Sequence, residues 1–146
     1  MKIALGADHG GVGLKDELAT HLREQGHEVS DLGTSGSASV DYPDYAQAVA
    51  AQVADGTVDR GILVCGTGQG MAMAANKVPG VRAGVVSDTF SAQMIAEHND
   101  ARILCLGARV VGPSLAQAIV DSYLGATFEG GRHARRVGKI EPASGS

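Results

Sequence analysis

The chain of 146 residues is long enough to bury one substantial hydrophobic core, and its 44% hydrophobic and 19% charged residues are ordinary for a soluble globular protein. A net charge of −4 and only 3% aromatic residues argue against a general nucleic-acid binder, because an acidic chain repels phosphates and rings for base stacking are scarce. Cys65 and Cys105 make no disulfide framework. No signal peptide or membrane-length apolar run is evident, so we expect a cytoplasmic protein with no membrane partner.

The first half of the chain predicts two strands and two helices. Residues 2–7 are apolar and predict a first strand, and residues 27–33 predict a second, weaker strand near a sheet edge. Between them, apolar side chains spaced for one helical face begin at Val12, and Gly26 closes that helix. A second helix begins at residues 41–43, where a proline stands near the first turn.

The second half continues the alternation of strand and helix. Short apolar runs predict strands at residues 61–64, 82–86 and 103–107. A helix is predicted after each strand: an Ala- and Met-rich helix over 71–77, a helix capped by residues 87–89, and a helix that begins at Pro113. In this last helix, Leu115, Ile119 and Tyr123 are predicted to lie on one stripe. A basic helix is predicted from Arg132 to about Ile140.

This alternation, without strand hairpins or repeats, predicts an α/β fold. Right-handed crossovers then give a Rossmann-like, doubly wound sandwich with a five-stranded parallel sheet and helices on both faces. We expect residues 1–141 to form a single domain and residues 142–146 a short flexible tail. Ligands of such folds bind beyond the carboxyl ends of the strands. That edge is predicted to carry Asp8, His9, residues 65–70, residues 87–88 and Arg109.

The most informative stretch joins the third strand to the next helix and reads Cys65-Gly66-Thr67-Gly68-Gln69-Gly70. Glycines at alternate positions let backbone N–H groups point into one concavity without obstruction by Cβ atoms. Those donors and the start of the helix favour negative charge. Cys65 stands at the lip of the concavity, where the same field favours a thiolate.

Three chemistries fit this loop, alongside a plain turn that carries a buried cysteine. Dinucleotide binding is supported by Asp88, placed where a ribose-binding acid belongs, but Met71 replaces the third fingerprint glycine and Pro79 ends the helix early. A cysteine phosphatase would need an arginine where Met71 stands. The third is proton transfer, with Cys65 as general base and the amides as an oxyanion hole. The loop alone leaves these possibilities open.

A basic run, Arg132-His133-Ala134-Arg135-Arg136, follows two glycines in this otherwise acidic protein. Arg132 and Arg136 are four residues apart and therefore share one helical face. Paired guanidinium groups suit a phosphate group because each can bind two oxygens, and Arg109 could join them. The alternative is a solvated helix face.

Taken together, these segments make the chain resemble the type B ribose-5-phosphate isomerases and the related galactose-6-phosphate isomerase subunits. The matching segments run through nearly the whole chain in one order: residues 3–11, 41–43, 61–70, 74–77, 97–101, 106–112 and 130–133. The resemblance implies an aldose–ketose isomerase that acts on an open-chain sugar phosphate through an enediolate. It also places the chain in the branch that uses a cysteine, because Met71 stands where another branch has a glutamate.

The resemblance also assigns roles to individual residues. The catalytic set is Cys65 as base, Thr67 assisting transfer, and His98 with Asp8 in ring opening. The substrate-binding set is His9, Tyr42, Gly66, Gly68, Gln69, Gly70, Asn99, Arg109, Arg132 and Arg136, with His9 and the three arginines at the phosphate. The family implies a homodimer or homotetramer whose active sites are shared between subunits. No metal, cofactor or nucleic acid is expected.

Ribose 5-phosphate and ribulose 5-phosphate are the first expected substrate pair. Isomerisation of a tetrose 4-phosphate, allose 6-phosphate or galactose 6-phosphate stands as the alternative, and Gln69 leaves that specificity open. A nucleotide-binding module that uses the glycine loop, and a non-catalytic assembly subunit, are the remaining hypotheses.

Overall fold

The computed structural model describes residues 1–141; the predicted tail, residues 142–146, lies outside the described residues. The strands are β1 (Lys2–Ala7), β2 (Glu28–Asp31), β3 (Arg60–Cys65), β4 (Ala83–Val85) and β5 (Ile103–Gly107). The helices are α1 (Val12–Glu24), α2 (Tyr42–Ala54), α3 (Gln69–Ala75), α4 (Thr89–Glu97), α5 (Pro113–Leu124) and α6 (Arg132–Gly138). Strand and helix alternate from β1 to α5, which confirms the predicted order of elements.

All five strands are parallel and form one sheet in the order β2-β1-β3-β5-β4. The chain moves from β1 to β2 on one side and then crosses back to place β3 on the other side of β1. This reversal leaves a crevice at the carboxyl ends of β1 and β3, where doubly wound folds bind ligands. Asp8 and Cys65 stand at those two strand ends.

Helices cover both faces of the sheet, as predicted. One hydrophobic cluster joins the strands to α1, α4 and α5 and includes Leu18, Leu104 and Ile119. The other joins them to α2 and α3 and includes Val49 and Met71. Because the central strands are buried on both sides, their sequences are nearly continuous apolar runs. None of the helices among residues 1–141 is long and apolar enough to cross a membrane.

Of three predictions about single elements, two are confirmed and one is wrong. β2 does lie at an edge of the sheet, and the Asp88 carboxylate does cap α4, accepting the Ser91 N–H at 2.6 Å. The stripe predicted for α5 is wrong at Leu115, which is 42% exposed while Ile119 and Tyr123 are buried. Residues four apart advance by more than one helical turn, so such a stripe drifts by about 40° per step. Leu115, in the first turn, therefore points away from the sheet.

A buried lysine anchors the β2 edge. Lys15 on α1 is 1% exposed, and its Nζ lies 2.6 Å from Oδ2 of Asp31 and 3.0 Å from Oδ1 of Asp16. Burial acts to lower the pKa of Lys15, but the hydrogen bonds and charges of Asp31 and Asp16 raise it on balance. Asp31 also accepts the Gly33 N–H at 2.9 Å, which directs the following loop over the carboxyl edge of the sheet.

Candidate active site

The glycine loop places the Cys65 thiol against backbone donors. Cys65 is the last residue of β3, is 6% exposed, and its Sγ accepts the Gly68 N–H at 3.1 Å. Gly68 has a φ of +83°, and a Cβ atom there would lie 3.1 Å from the carbonyl carbon of Leu106. A glycine is therefore required both by the left-handed backbone and by the neighbouring strand. The thiol and the amide donor are adjacent, as the sequence predicts.

Two charged side chains flank this loop. Asp8 donates its N–H to the Val64 carbonyl at 3.2 Å, and its Oδ1 accepts the Gly10 N–H at 3.0 Å. Arg109 donates its N–H to the Gly66 carbonyl at 3.1 Å, and a methyl group at Gly66 would lie 3.6 Å from Cδ of Arg109. The carboxyl edge of the sheet thus brings a thiol, a carboxylate and a guanidinium side chain to one crevice.

His9 and Tyr42 line the same edge. Nδ1 of His9 accepts the N–H of Val40 at 3.2 Å, which leaves the proton of a neutral ring on Nε2. The ring of Tyr42 lies against Gly70, where a Cβ atom would be 2.5 Å from the ring carbons. Both side chains are exposed and available to a ligand.

Asp88 also reaches this edge, but its carboxylate is committed to the start of α4. The hydrogen bonds from Ser91, first the backbone and then the side chain, lower the pKa of Asp88. A carboxylate that caps its own helix is not directed at a ribose. The geometry therefore gives no support to the dinucleotide interpretation of the loop.

A second cluster contains His98 and the basic helix α6. The imidazole rings of His98 and His133 are stacked with centroids 4.1 Å apart and planes 7° from parallel. Nε2 of His98 lies 3.1 Å from Oε1 of Glu129. Burial, followed by the charges of His98 and Arg132, lowers the pKa of His133. Arg132 and Arg136 are both exposed on α6, where an anion can reach their side chains.

Hydrogen bonds fix the turn that carries His98 and Asn99. Arg82, just before β4, donates to the carbonyl oxygens of Asn99 at 3.0 Å and of Asp100 at 2.9 Å. The Tyr123 hydroxyl donates to the Ala101 carbonyl at 2.5 Å. The turn is thus held at the amino ends of β4 and β5.

The two clusters lie at opposite edges of the sheet within one chain. Cys65 pairs with Gly107 at the carboxyl end of β5, whereas the turn at His98 precedes Ile103 at the amino end. Ile103 to Gly107 alone spans about 13 Å at the usual rise of an extended strand. Within one chain, the predicted site residues therefore form two groups. The group at the carboxyl edge of the sheet contains Asp8, His9, Tyr42, residues 65–70 and Arg109. The group at the amino edge contains His98, Asn99, Arg132 and Arg136.

Three side chains could offer ligands to a metal ion: atoms of His98, Glu129 and His133 all lie within 4.8 Å of one another. The lone pairs of imidazole nitrogens lie in the ring planes, and these planes are nearly parallel. They do not converge on one point, so this arrangement does not favour a metal site.

Sequence reasoning missed Glu129 and Arg82 as neighbours of the predicted site. Neither belongs to a periodic pattern, and their contacts arise from tertiary packing. The signal available for Glu129 was its place directly before Gly130 and Gly131. Both glycines have positive φ values, +69° and +57°, and Glu129 donates its N–H to the Glu97 carbonyl at 3.0 Å.

Comparison with known proteins accounts for this architecture. Residues 3–140 match the family model described as Ribose/Galactose Isomerase. Ribose-5-phosphate isomerase B of Escherichia coli is 55% identical over 139 residues, covering 95% of this chain and 93% of that protein. The D-erythrulose-4-phosphate isomerase of Pectobacterium atrosepticum is 44% identical over 142 residues, covering 96% and 93%. The structure of ribose-5-phosphate isomerase B from Clostridium thermocellum superposes with a TM-score of 0.95 at 58% identity, covering 96% and 95%.

The fold, the thiol in its glycine loop and these relatives define an aldose–ketose isomerase. More closely, the chain belongs to the ribose/galactose isomerase family, as its sequence resemblance indicates. Family membership selects isomerisation among the chemistries that the glycine loop left open.

Proposed function

We propose that the protein interconverts D-ribose 5-phosphate and D-ribulose 5-phosphate, with Cys65 as the base. The observation that carries this proposal is the 3.1 Å contact between Sγ of Cys65 and the N–H of Gly68 at the crevice between β1 and β3. The names of the relatives at 55% and 58% identity support the choice of substrate pair.

The proposed reaction moves one carbon-bound proton. The Cys65 thiolate takes the proton from C2 of the open-chain aldose, and the C–H electrons form a C1=C2 double bond while O1 becomes negatively charged. The proton of the O2 hydroxyl passes to O1 with help from Thr67, and Cys65 returns its proton to C1, which leaves a ketone at C2. Amides of the glycine loop that are not already donating to Cys65 or Thr67 stabilise the enediolate, by about 3 kcal/mol for one donor by analogy with oxyanion holes.

The remaining residues hold the sugar phosphate. Arg109 and His9 supply cationic and N–H donors at the carboxyl edge, and Arg132 with Arg136 would add two guanidinium groups to the phosphate. Asp8, Tyr42, Gln69 and Asn99 are proposed to contact the sugar, and His98 to assist ring opening.

A second copy of the chain would complete the site. One chain separates Cys65 from His98, Arg132 and Arg136 by the length of the sheet, which a five-carbon sugar phosphate does not bridge. We therefore propose a homodimer or homotetramer in which each site takes Cys65 from one subunit and His98 from the other. Because Cys65 and Cys105 are both free thiols, we place the enzyme in the reducing cytoplasm.

The role of Cys65 is tested by Cys65→Ala, with Cys105→Ala as the matched control. We expect Cys65→Ala to lose isomerisation at least about 100-fold, as for removal of a general base, while calorimetry still detects sugar phosphate binding. Cys105→Ala should retain activity because its side chain lies in the core. An active Cys65→Ala variant would contradict the proposed chemistry.

Sharing of sites is tested by mixing two inactive variants, Cys65→Ala and His98→Asn, under conditions that exchange subunits. A mixed dimer would hold one intact site and one doubly defective site. Because half of the dimers in an equal mixture are mixed, activity should recover to about a quarter of the wild-type value. No recovery after exchange, verified by mass spectrometry, would show that each chain is self-sufficient.

The second candidate function is isomerisation of another sugar phosphate. The 44% identical relative named D-erythrulose-4-phosphate isomerase favours a tetrose among these alternatives. Values of kcat/KM for four-, five- and six-carbon sugar phosphates identify the preferred substrate, and we expect ribose 5-phosphate to give the highest value. A higher value for a tetrose, allose or galactose phosphate would reassign the substrate and leave the role of Cys65 in place.

A further inference from the structure

Glu129 occupies a position with no role in the scheme above. We infer that Glu129 is a positioning residue that pairs with the His98 ring and stabilises its positive charge during ring opening. This inference rests on the proposed function, because it concerns how His98 works there.

Two side chains contact the His98 ring. The stack on His133 fixes the plane of the ring, with 4.1 Å between centroids. Oε1 of the Glu129 carboxylate lies 3.1 Å from Nε2, so the carboxylate can pair with the ring when the ring is protonated. A carboxylate at this distance attracts a positively charged ring, so the pair is strongest while His98 carries the proton that it exchanges with the sugar.

The backbone holds Glu129 for this task. Its N–H donates to the Glu97 carbonyl at 3.0 Å, which ties it to the end of the helix that carries His98. Other carboxylates near His98 are engaged elsewhere: Glu97 accepts from the Gln93 amide at 2.8 Å, and Asp100 pairs with Arg82 at 3.3 Å. Among the ion pairs of residues 1–141, the one that includes His98 is made by Glu129.

Ring opening requires a proton acceptor and a proton donor. In the furanose form of ribose 5-phosphate, the O1–H proton leaves, C1=O1 forms, the C1–O4 bond breaks, and O4 receives a proton. His98 exchanges one of these protons, and its ring is an imidazolium on one side of that transfer. A carboxylate beside the ring stabilises that charge, as the aspartate does for the histidine of a catalytic triad.

The chemistry of the sugars provides a selective test. Erythrose 4-phosphate cannot close a five-membered ring, because the hydroxyl needed for closure carries the phosphate. We expect Glu129→Gln to lower kcat/KM for ribose 5-phosphate by roughly 10-fold or more and to leave the value for erythrose 4-phosphate within about two-fold. Glu97→Gln, which removes the same charge one residue from His98, should match the wild type on both sugars.

A second measurement uses ribose 5-phosphate deuterated at C2. If ring opening is slowed in Glu129→Gln, proton abstraction limits the rate less, and the isotope effect on kcat/KM falls toward unity. Glu129→Asp, which keeps the charge, should restore part of the activity. The isotope effect tests the role of Glu129 even if the enzyme does not turn over erythrose 4-phosphate.

The outcomes separate this inference from the proposed function. Equal losses on both sugars, an unchanged isotope effect, or full activity of Glu129→Gln on ribose 5-phosphate would each overturn the role of Glu129. An active Cys65→Ala variant would instead overturn the proposed function.

Discussion

The ring of Tyr42, the first residue of α2, lies directly on Gly70 in the first turn of α3. A Cβ atom at Gly70 would be 2.5 Å from Cε2 and Cζ of Tyr42, well inside van der Waals contact. The absence of a side chain at Gly70 therefore lets a helix start and an aromatic ring share the edge of the crevice. This contact couples the loop after Cys65 to a predicted sugar-binding side chain.

The first prediction follows from that contact. Gly70→Ala should displace the Tyr42 ring or tilt α3, and kcat/KM should fall by about 10-fold or more, equivalent to roughly 1.4 kcal/mol of transition-state binding. Steady-state kinetics with circular dichroism measure both effects. Gly13→Ala on α1 is the control, since a methyl group there meets nothing within 4 Å. Unchanged kinetics in Gly70→Ala would show that the Tyr42 contact is irrelevant to activity.

Gly68→Ala tests the backbone of the loop itself. An alanine at a φ of +83° costs about 1–2 kcal/mol, and its methyl group would crowd the Leu106 carbonyl. Relief of this strain would move the Gly68 N–H away from Sγ of Cys65, so we expect both a lower free energy of unfolding and a loss of kcat. Urea denaturation and kinetics on the same preparation report the two quantities. A stable, fully active variant would contradict the assigned donor.

The sequence predicts the parallel sheet and the Cys65 loop because both depend on local patterns. Buried strands need apolar runs, and a chain that turns with donors exposed needs glycines at alternate positions. The contact between His98 and Glu129 could not be predicted, since it joins residues 31 positions apart through the packing of α6 on the end of α4. The placement of His98 and Cys65 at opposite edges also depends on strand order and helix direction, which no single motif encodes.

The two cysteines should differ sharply in reactivity. Burial, with a smaller contribution from Cys65, raises the pKa of the Cys105 thiol, and that side chain is fully enclosed. Alkylation requires an accessible thiolate. Iodoacetamide should therefore modify Cys65 first, abolish activity in proportion to labelling, and be slowed by ribose 5-phosphate. Peptide mass mapping identifies the labelled residue; first labelling at Cys105 would contradict this prediction.

The environment of His133 gives a pH dependence of stability. Burial and then the charge of His98 lower the pKa of His133 below that of an unfolded histidine, about 6.5. Above this pH His133 is neutral in both the folded and the unfolded protein, so it makes no pH-dependent contribution to the free energy of unfolding. As the pH falls below it, the unfolded chain binds a proton that the folded chain resists, so the free energy of unfolding decreases until the folded pKa is passed. The His133→Gln variant should lose less stability than the wild type between about pH 7.5 and 5.5, measured by urea denaturation at one protein concentration. His27→Gln serves as the control and should follow the wild type, whereas parallel curves for wild type and His133→Gln would refute the linkage.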